Sequence, residues 1–263
     1  MQHQAKKRFG QNFLIDENII QRIVDSINPQ HDDNIIEIGP GLGAITRLLL
    51  QRTDKLNVIE LDRDIIPKLL FNCRNDGTPI IHEMDVLKFN FKDFRENTGS
   101  QKKLRVVGNL PYNISTPVLF LLLKDREVIQ DMHFMLQKEV VDRITAQPGS
   151  RTYGRLSVMI QTYFNAASLF QVPAYAFSPA PKVESAILRL VPDNSFSQHI
   201  NNHKAYEELI RQSFSQRRKT LKNNLKNLCS AEHIIAAGID PGQRAEEISI
   251  EFFLKLHVQI SSD

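Results

Sequence analysis

The sequence has no tryptophan, and its 263 residues include only two cysteines. Cys73 and Cys229 stand alone, and two isolated thiols make neither a disulfide framework nor a zinc site. Ligand-spaced histidines are missing as well. His3, His31, His82, His133, His199, His203, His233 and His257 form no cluster, so no metal is expected. There is no long hydrophobic run: the longest uninterrupted apolar stretch, residues 118–123, falls far short of the ~20 residues that span a bilayer. Near the start, Lys6, Lys7 and Arg8 are basic but no apolar region follows them, which argues against a signal peptide. With 41% hydrophobic and 24% charged residues, the composition fits neither a disordered tail nor a coiled-coil rod. The expectation is a cytoplasmic globular protein with no membrane partner.

Net charge is +3, but its distribution along the chain is uneven. Residues 16–100 carry 10 basic and 15 acidic side chains, whereas residues 201–230 carry 7 basic and 2 acidic. The first 15 residues add +3 and the last 33 sum to −4. A mildly acidic body with two basic patches suits a phosphate-backbone binder, although solvated surface faces have the same composition.

Between residues 34 and 137, β-rich runs (35–38, 56–60, 79–82, 104–107 and 132–136) alternate with helix-length segments such as 44–51 and 64–73. That alternation predicts βαβ units in an α/β fold with a mostly parallel sheet. A helix over 154–164 and strands over 167–172 and 186–191 follow. The prolines in Phe177-Ser178-Pro179-Ala180-Pro181-Lys182 deny that segment a helix or a central strand. Beyond Pro192 the β-branched density falls and polar helical sequence takes over. The expected division is therefore residues 1–194 and a small helical domain over 195–263.

Ligands of parallel sheets bind beyond the carboxyl ends of the strands. The first strong run leads into Glu37-Ile38-Gly39-Pro40-Gly41-Leu42-Gly43. A dinucleotide fingerprint needs its third glycine where Ala44 stands, and no Gly-Lys-Ser/Thr follows for a Walker loop. An ordinary strand-to-helix turn and a ligand loop both remain open on the glycines alone. Glu60 ends the second run about 20 residues on, where a carboxylate can accept both ribose hydroxyls. Asp85 follows the third run, placed to hold an adenine amino group. A glycine loop with two such acids and no phosphate cradle suits an adenosine without pyrophosphate, and S-adenosylmethionine is the leading candidate.

The fourth run ends in Gly108-Asn109-Leu110-Pro111-Tyr112-Asn113. An adenine amine is a poor nucleophile because its lone pair is delocalised into the ring. The Asn109 side-chain oxygen and the Leu110 carbonyl can bind its two hydrogens, Pro111 restricts the backbone before it, and Tyr112 can stack on a base taken out of its helix. A proline turn capped by Asn is the plain alternative. Positioning is the largest contribution to such a transfer, and no shifted pKa is required.

The segments Gln11-Asn12-Phe13-Leu14, Glu37 to Gly43, Asn109 to Tyr112, Phe177-x-Pro-x-Pro-Lys-Val-x-Ser ending at Ser185, and Gln216-Arg217-Arg218-Lys219-Thr220-Leu221 occur in order. Together they closely resemble the bacterial small-subunit rRNA adenine dimethyltransferases of the kasugamycin-resistance type. The motifs run from about residue 6 to residue 225. The resemblance implies a class I, Rossmann-like methyltransferase fold: a seven-stranded sheet with a small all-helical C-terminal domain. It also implies dimethylation of the N6 amines of two adjacent adenosines near the 3′ end of 16S rRNA, within a 30S precursor particle, by a monomeric enzyme.

By position, Asn12, Leu14, Gly39, Gly41, Glu60, Asp85 and Asn109 would contact S-adenosylmethionine, and Asn109, Leu110, Pro111 and Tyr112 would hold the amine. Phe177 would stack on the base opposite Tyr112. Lys6, Lys7, Arg8, Arg211, Arg217, Arg218, Lys219 and Lys222 would meet the RNA. A helix is expected to carry the basic residues from Arg211 to Lys226, with Arg211, Arg218 and Lys222 near one face. Ala180 stands where relatives often have a third proline. Two other enzyme readings share parts of the pattern. Large-subunit rRNA methyltransferases of the macrolide-resistance type tend to carry Ile where Leu110 stands, and DNA adenine methyltransferases tend to carry Asp where Asn109 stands. A reading from another class is an RNA-binding assembly factor that checks particle maturation.

Overall fold

A computed structural model describes residues 12–261. The chain divides into two compact units. The first runs to Val141 and resumes over Ala167–Val191; the second comprises Asp142–Ala166 and the chain from Pro192 onward.

The first unit is built on a seven-stranded sheet. Its strands are β2 (Asn34–Ile38), β3 (Leu56–Glu60), β4 (Ile80–Glu83), β5 (Leu104–Asn109), β6 (Ile129–Gln137), β7 (Phe164–Val172) and β9 (Ser185–Pro192). They lie in the order β4-β3-β2-β5-β6-β9-β7, and β1 (Phe13–Leu14) pairs separately with β8 (Phe177–Ser178). The first five pair in parallel, and β9 runs antiparallel to β6 with Met132 opposite Leu190. Every residue of β2 and β3 is buried. Burial on both faces explains why apolar side chains stand at adjacent positions in these runs, Ile35 beside Ile36 and Val58 beside Ile59, rather than alternating with polar ones.

The strand order reverses between β2 and β5. Successive strands are added in opposite directions on either side of that point, so right-handed crossovers send α2 (Ala44–Leu50) and α3 (Ile66–Cys73) to one face and α5 (Ser115–Lys124) to the other. Ile20, Ile23, Val24 and Ile27 of α1 (Glu17–Ile27) join Ile45, Leu49 and Leu69 over Ile35, Val58 and Val107 in one apolar cluster. Asp16 caps α1 by accepting from the backbone N–H groups of Asn18 (3.0 Å) and Ile19 (3.1 Å). α4 (Phe91–Asn97) lies between β4 and β5 in the chain, and α6 (Lys138–Ile144) follows β6.

The second unit is helical: α7 (Arg155–Tyr163), α8 (His203–Ser213), α9 (Leu221–Leu225), α10 (Ala231–Ala236) and α11 (Ile250–Ser261). It takes in α7, which precedes the division expected at residue 194. The Tyr153 hydroxyl donates to the Ile248 carbonyl (3.1 Å), and Thr162 Oγ1 meets the Tyr206 hydroxyl (3.1 Å), tying this early segment to α8 and the approach to α11. No helix among the described residues is long and apolar enough to cross a membrane.

One expectation fails here. The basic residues from Arg211 to Lys226 do not share a helix: α8 ends at Ser213 and α9 starts only at Leu221. The Ser213 hydroxyl bonds back to Leu209 O (2.8 Å), and Asn224 Nδ2 donates to the carbonyls of Ser213 (2.7 Å) and Gln216 (3.2 Å). A side chain from the next helix thus takes carbonyls that a continuing helix would have needed.

Candidate active site

A cavity of about 300 Å³ opens beyond the carboxyl ends of β2, β3, β4 and β5. It is lined by Asn12, Leu14, Gly39, Gly41, Glu60, Asp85, Asn109, Leu110, Pro111, Tyr112 and Phe177. The residues expected at cofactor and target base therefore share one space. Lys6, Lys7 and Arg8, like Gln11, lie outside the described residues.

The glycine loop shapes the floor. Gly41 has φ +58°, and a Cβ on it would sit 3.4 Å from the Phe13 ring. The loop therefore runs bare-backboned beneath β1, and a side chain there would be strained and would crowd the ring. Gly43 faces the other way, toward Leu69 and Cys73, and serves packing on α3 rather than the cavity.

Glu60 is 8% exposed and accepts from the backbone N–H groups of Asp62 (2.8 Å), Gly41 and Leu61. Burial raises its carboxyl above the ordinary value, and those three donors oppose the rise. Asp85 caps the short turn Val86–Lys88 by accepting from Leu87 N (2.9 Å), which holds it at the rim.

Glu37 also lines the cavity and was not assigned a role from the sequence. Burial pushes its carboxyl up to about 7, and the Glu60 carboxylate adds to the rise, while the Thr46 hydroxyl donating at 2.7 Å works against it. Its signal was present: an acid as the penultimate residue of a wholly buried parallel strand, just before the glycine loop. Among the described lining residues there are three acids and no lysine or arginine. Such walls favour a cationic or neutral ligand over a phosphate.

At the end of β5, Asn109 Nδ2 donates to the Asn12 carbonyl (3.3 Å), which fixes the amide's orientation and turns Oδ1 away from that carbonyl. Leu110 N donates to Met135 O (3.2 Å), and Ile114 N closes the proline turn onto Pro111 O (3.1 Å). The Tyr112 hydroxyl lies 3.0 Å from Ser185 Oγ on β9. On the far wall β8 lies against β1, with Leu14 opposite Phe177, and Ile15 N donates to Ala176 O (2.8 Å). Phe177 is 4% exposed beside that pairing.

Gly108 was passed over in the sequence. A Cβ there would come within 2.5 Å of the Ile38 carbonyl oxygen, so only glycine lets β5 lie against β2 just before Asn109.

Of the basic residues expected at RNA, Arg211 forms a two-pronged pair with Glu208 (2.7 and 2.6 Å). Arg217 pairs with Glu246 (3.0 Å) and donates to the Arg151 carbonyl. Arg218, Lys219 and Lys222 are exposed, the first two in the turn between α8 and α9.

Comparison with known proteins gives a consistent result. A family model described as ribosomal RNA adenine dimethylase matches residues 2–261. A protein of Nitrosococcus oceani named ribosomal RNA small subunit methyltransferase A is 50% identical over 254 residues, covering 97% of this chain and 95% of the relative. One of the same name from Marinomonas sp. is 49% identical, covering 97% of this chain and 94% of the relative. Among solved structures, a dimethyladenosine transferase from Plasmodium falciparum matches with a TM-score of 0.81 and 25% identity, over 95% of this chain and 98% of that one. The 23S rRNA methyltransferase ErmE matches in fold, with a TM-score of 0.72 and 23% identity over 95% of this chain and all of that one (100%).

Proposed function

Because the chain belongs to the ribosomal RNA adenine dimethylase family, we propose that it dimethylates the N6 amines of two adjacent adenosines in the 3′-terminal hairpin of 16S rRNA, using S-adenosylmethionine. The acceptor in this reading is the 30S precursor particle, and the enzyme works as a cytoplasmic monomer. The observation that carries the reading is a single cavity shared by the glycine loop, Glu60, Asp85, the Asn109-to-Tyr112 segment and Phe177. The relatives about 49–50% identical are named for the small subunit, which favours that acceptor over large-subunit RNA.

The walls fit the cofactor on their own chemistry. Glu60 offers a buried carboxylate to ribose hydroxyls, Asp85 an acceptor to the adenine amine, and the bare loop at Gly39 and Gly41 a close backbone approach. Leu14 and Asn12 close the space from the β1 side. The three acids suit a ligand that carries positive charge. When bound, S-adenosylmethionine supplies a methyl group activated by an adjacent sulfonium.

The chain's own residues then prepare the acceptor. Asn109 Oδ1, oriented by the Asn12 carbonyl, and the Leu110 carbonyl accept the two N6 hydrogens and draw the nitrogen out of conjugation. Pro111 holds the Leu110 carbonyl in place. Tyr112, steadied by Ser185, and Phe177 face the two sides of the base. Holding the amine in line supplies the largest part of the acceleration, and the proton leaving N6 passes to water. Residues 1–194 act as the methyltransferase domain and 195–263 as a helical domain that meets RNA through Arg218, Lys219 and Lys222. Arg211 and Arg217 join them once their acidic partners give way to phosphate.

A tritiated-methyl transfer assay tests this with undermethylated small subunits, large subunits and duplex DNA as acceptors. About four methyls per small subunit, recovered as N6,N6-dimethyladenosine, is the expected result. Label in large-subunit RNA or DNA would overturn the acceptor. No transfer by protein that binds the cofactor would leave an assembly factor as the better reading.

A further inference from the structure

We propose that Tyr175, with Ile15 beside it, is a stacking platform at the cavity mouth for the base next to the target adenine. This rests on the reading above, in which the acceptor is a pair of adjacent adenosines. Tyr175 is 73% exposed, more than any other large hydrophobic side chain among the described residues. Its backbone, by contrast, is tightly held. Pro173 precedes it, Ala176 N donates to Pro173 O (3.1 Å), and Ala176, wholly buried, accepts from Ile15 N (2.8 Å).

Two residues on, Phe177 pairs with Leu14 and lines the cavity. At ~3.8 Å per Cα step, Tyr175 and Phe177 have Cα atoms no more than ~7.6 Å apart. Ile15 lines the same cavity while 56% exposed, which places it at the mouth rather than inside. One short turn therefore sends Phe177 inward and leaves Tyr175 outward, one residue from the contact with Ile15.

The chemistry selects the occupant. An exposed aromatic ring on rigid backbone costs little entropy to engage, since only two side-chain torsions remain to be ordered. A base taken into the cavity is still joined to its neighbour by one phosphodiester, so that neighbour must leave the mouth close to its rim. Its π-face stacks on an aromatic ring whatever the base, and an aliphatic side chain such as Ile15 covers the edge. Tyr175 is then a positioning residue: it fixes which of two adjacent adenosines enters while the other waits.

The test uses the full-length protein and undermethylated small subunits, with initial rates of labelled-methyl transfer. Tyr175→Ala should raise KM for particles about 5- to 10-fold, the lower range for one base–aromatic stack. Tyr175→Leu should match Ala, and Tyr175→Phe should stay within about twofold of wild type. Cofactor Kd and Tm should be unchanged in all three. On particles reconstituted with an abasic nucleotide beside the target, the Tyr175→Ala penalty should vanish. A wild-type KM for Tyr175→Ala, full rescue by Leu, or a penalty that persists on the abasic acceptor would each overturn the platform; the last would point to a protein or phosphate contact. Failure of the wild-type protein to label small subunits would instead remove the reading on which the platform rests, and the platform with it.

Discussion

The two ends of the central sheet treat charge in opposite ways. At the amino end, Arg105 on β5 is 6% exposed and bonds to Asp33 (2.6 Å) and to both oxygens of Asp131 (2.9 and 2.8 Å). Its remaining donors reach the carbonyls of Ile27 (2.5 Å) and Asn28 (3.2 Å) as α1 ends. At the carboxyl end, Glu37 and Glu60 are also buried, but no lysine or arginine among the described residues lines their cavity. Buried charge closed on itself is architecture, and buried charge left to hydroxyls and backbone N–H groups is ready for a ligand.

The largest expected effect breaks the closed end. Arg105→Leu leaves buried Asp131 without its guanidinium partner and Asp33 with only Lys102 at 3.7 Å, and should cost about 3–5 kcal/mol of unfolding free energy in denaturant titration. Cofactor affinity of the protein that remains folded should be unchanged, because the cavity lies at the other edge. Asn109→Ala acts at the open end in the opposite sense. It should lower kcat roughly 10²- to 10³-fold, as loss of one preorganised polar contact does, with Tm within a degree or two of wild type. If both variants lost stability alike, the contrast between the ends would not hold.

Glu37 sharpens the comparison through pH. Its carboxyl, pushed up to about 7 in the folded chain, binds a proton more tightly there than in the unfolded chain. The associated stability is fully present below the unfolded value near 4.5 and is lost as pH rises through about 7. Relative to Glu37→Gln, the wild-type, cofactor-free protein should therefore lose up to roughly 3 kcal/mol across that window, at about 1.4 kcal/mol per tenfold change. Buried His133, held down at about 4, acts in the opposite sense in both proteins and cancels from the difference. Glu37→Gln should remove this pH dependence, read from denaturation midpoints at each pH. Gly108→Ala is the smallest of the four: forcing a Cβ against the Ile38 carbonyl should cost about 1–3 kcal/mol. Because it also displaces Asn109, it should lower kcat even at temperatures where the protein stays folded.

Much of the carboxyl end was readable in advance because each part is local. A glycine loop after an apolar run, an acid closing the next run and an Asn-Leu-Pro-Tyr turn after the fourth all follow from strand periodicity and chain punctuation. Strand limits shifted by a few residues: β5 continues through Gly108 and Asn109, and β6 starts at Ile129. The amino end was unreadable for the same reason reversed. Arg105, Asp33 and Asp131 lie far apart in sequence and look like solvated charges until β2, β5 and β6 are set side by side. The basic segment misled because residue type suggested a helix, whereas Asn224 takes the Ser213 carbonyl at the end of α8 and the Gln216 carbonyl in the turn beyond it.

Sequence alone therefore determined the mostly parallel α/β sheet, the strand ends that open onto the cavity and the acids that line it. Tertiary structure decided what the charges do: which carboxylates are buried without a cation, which arginines are spent on Glu208 and Glu246, and that β1 and β8 meet to wall the cavity with Phe177. It also decided that residue 108 must be glycine. The physical reason is range. Backbone preference and apolar period are written within a few neighbouring residues, whereas desolvation and charge pairing depend on groups tens of residues away, brought together only by packing.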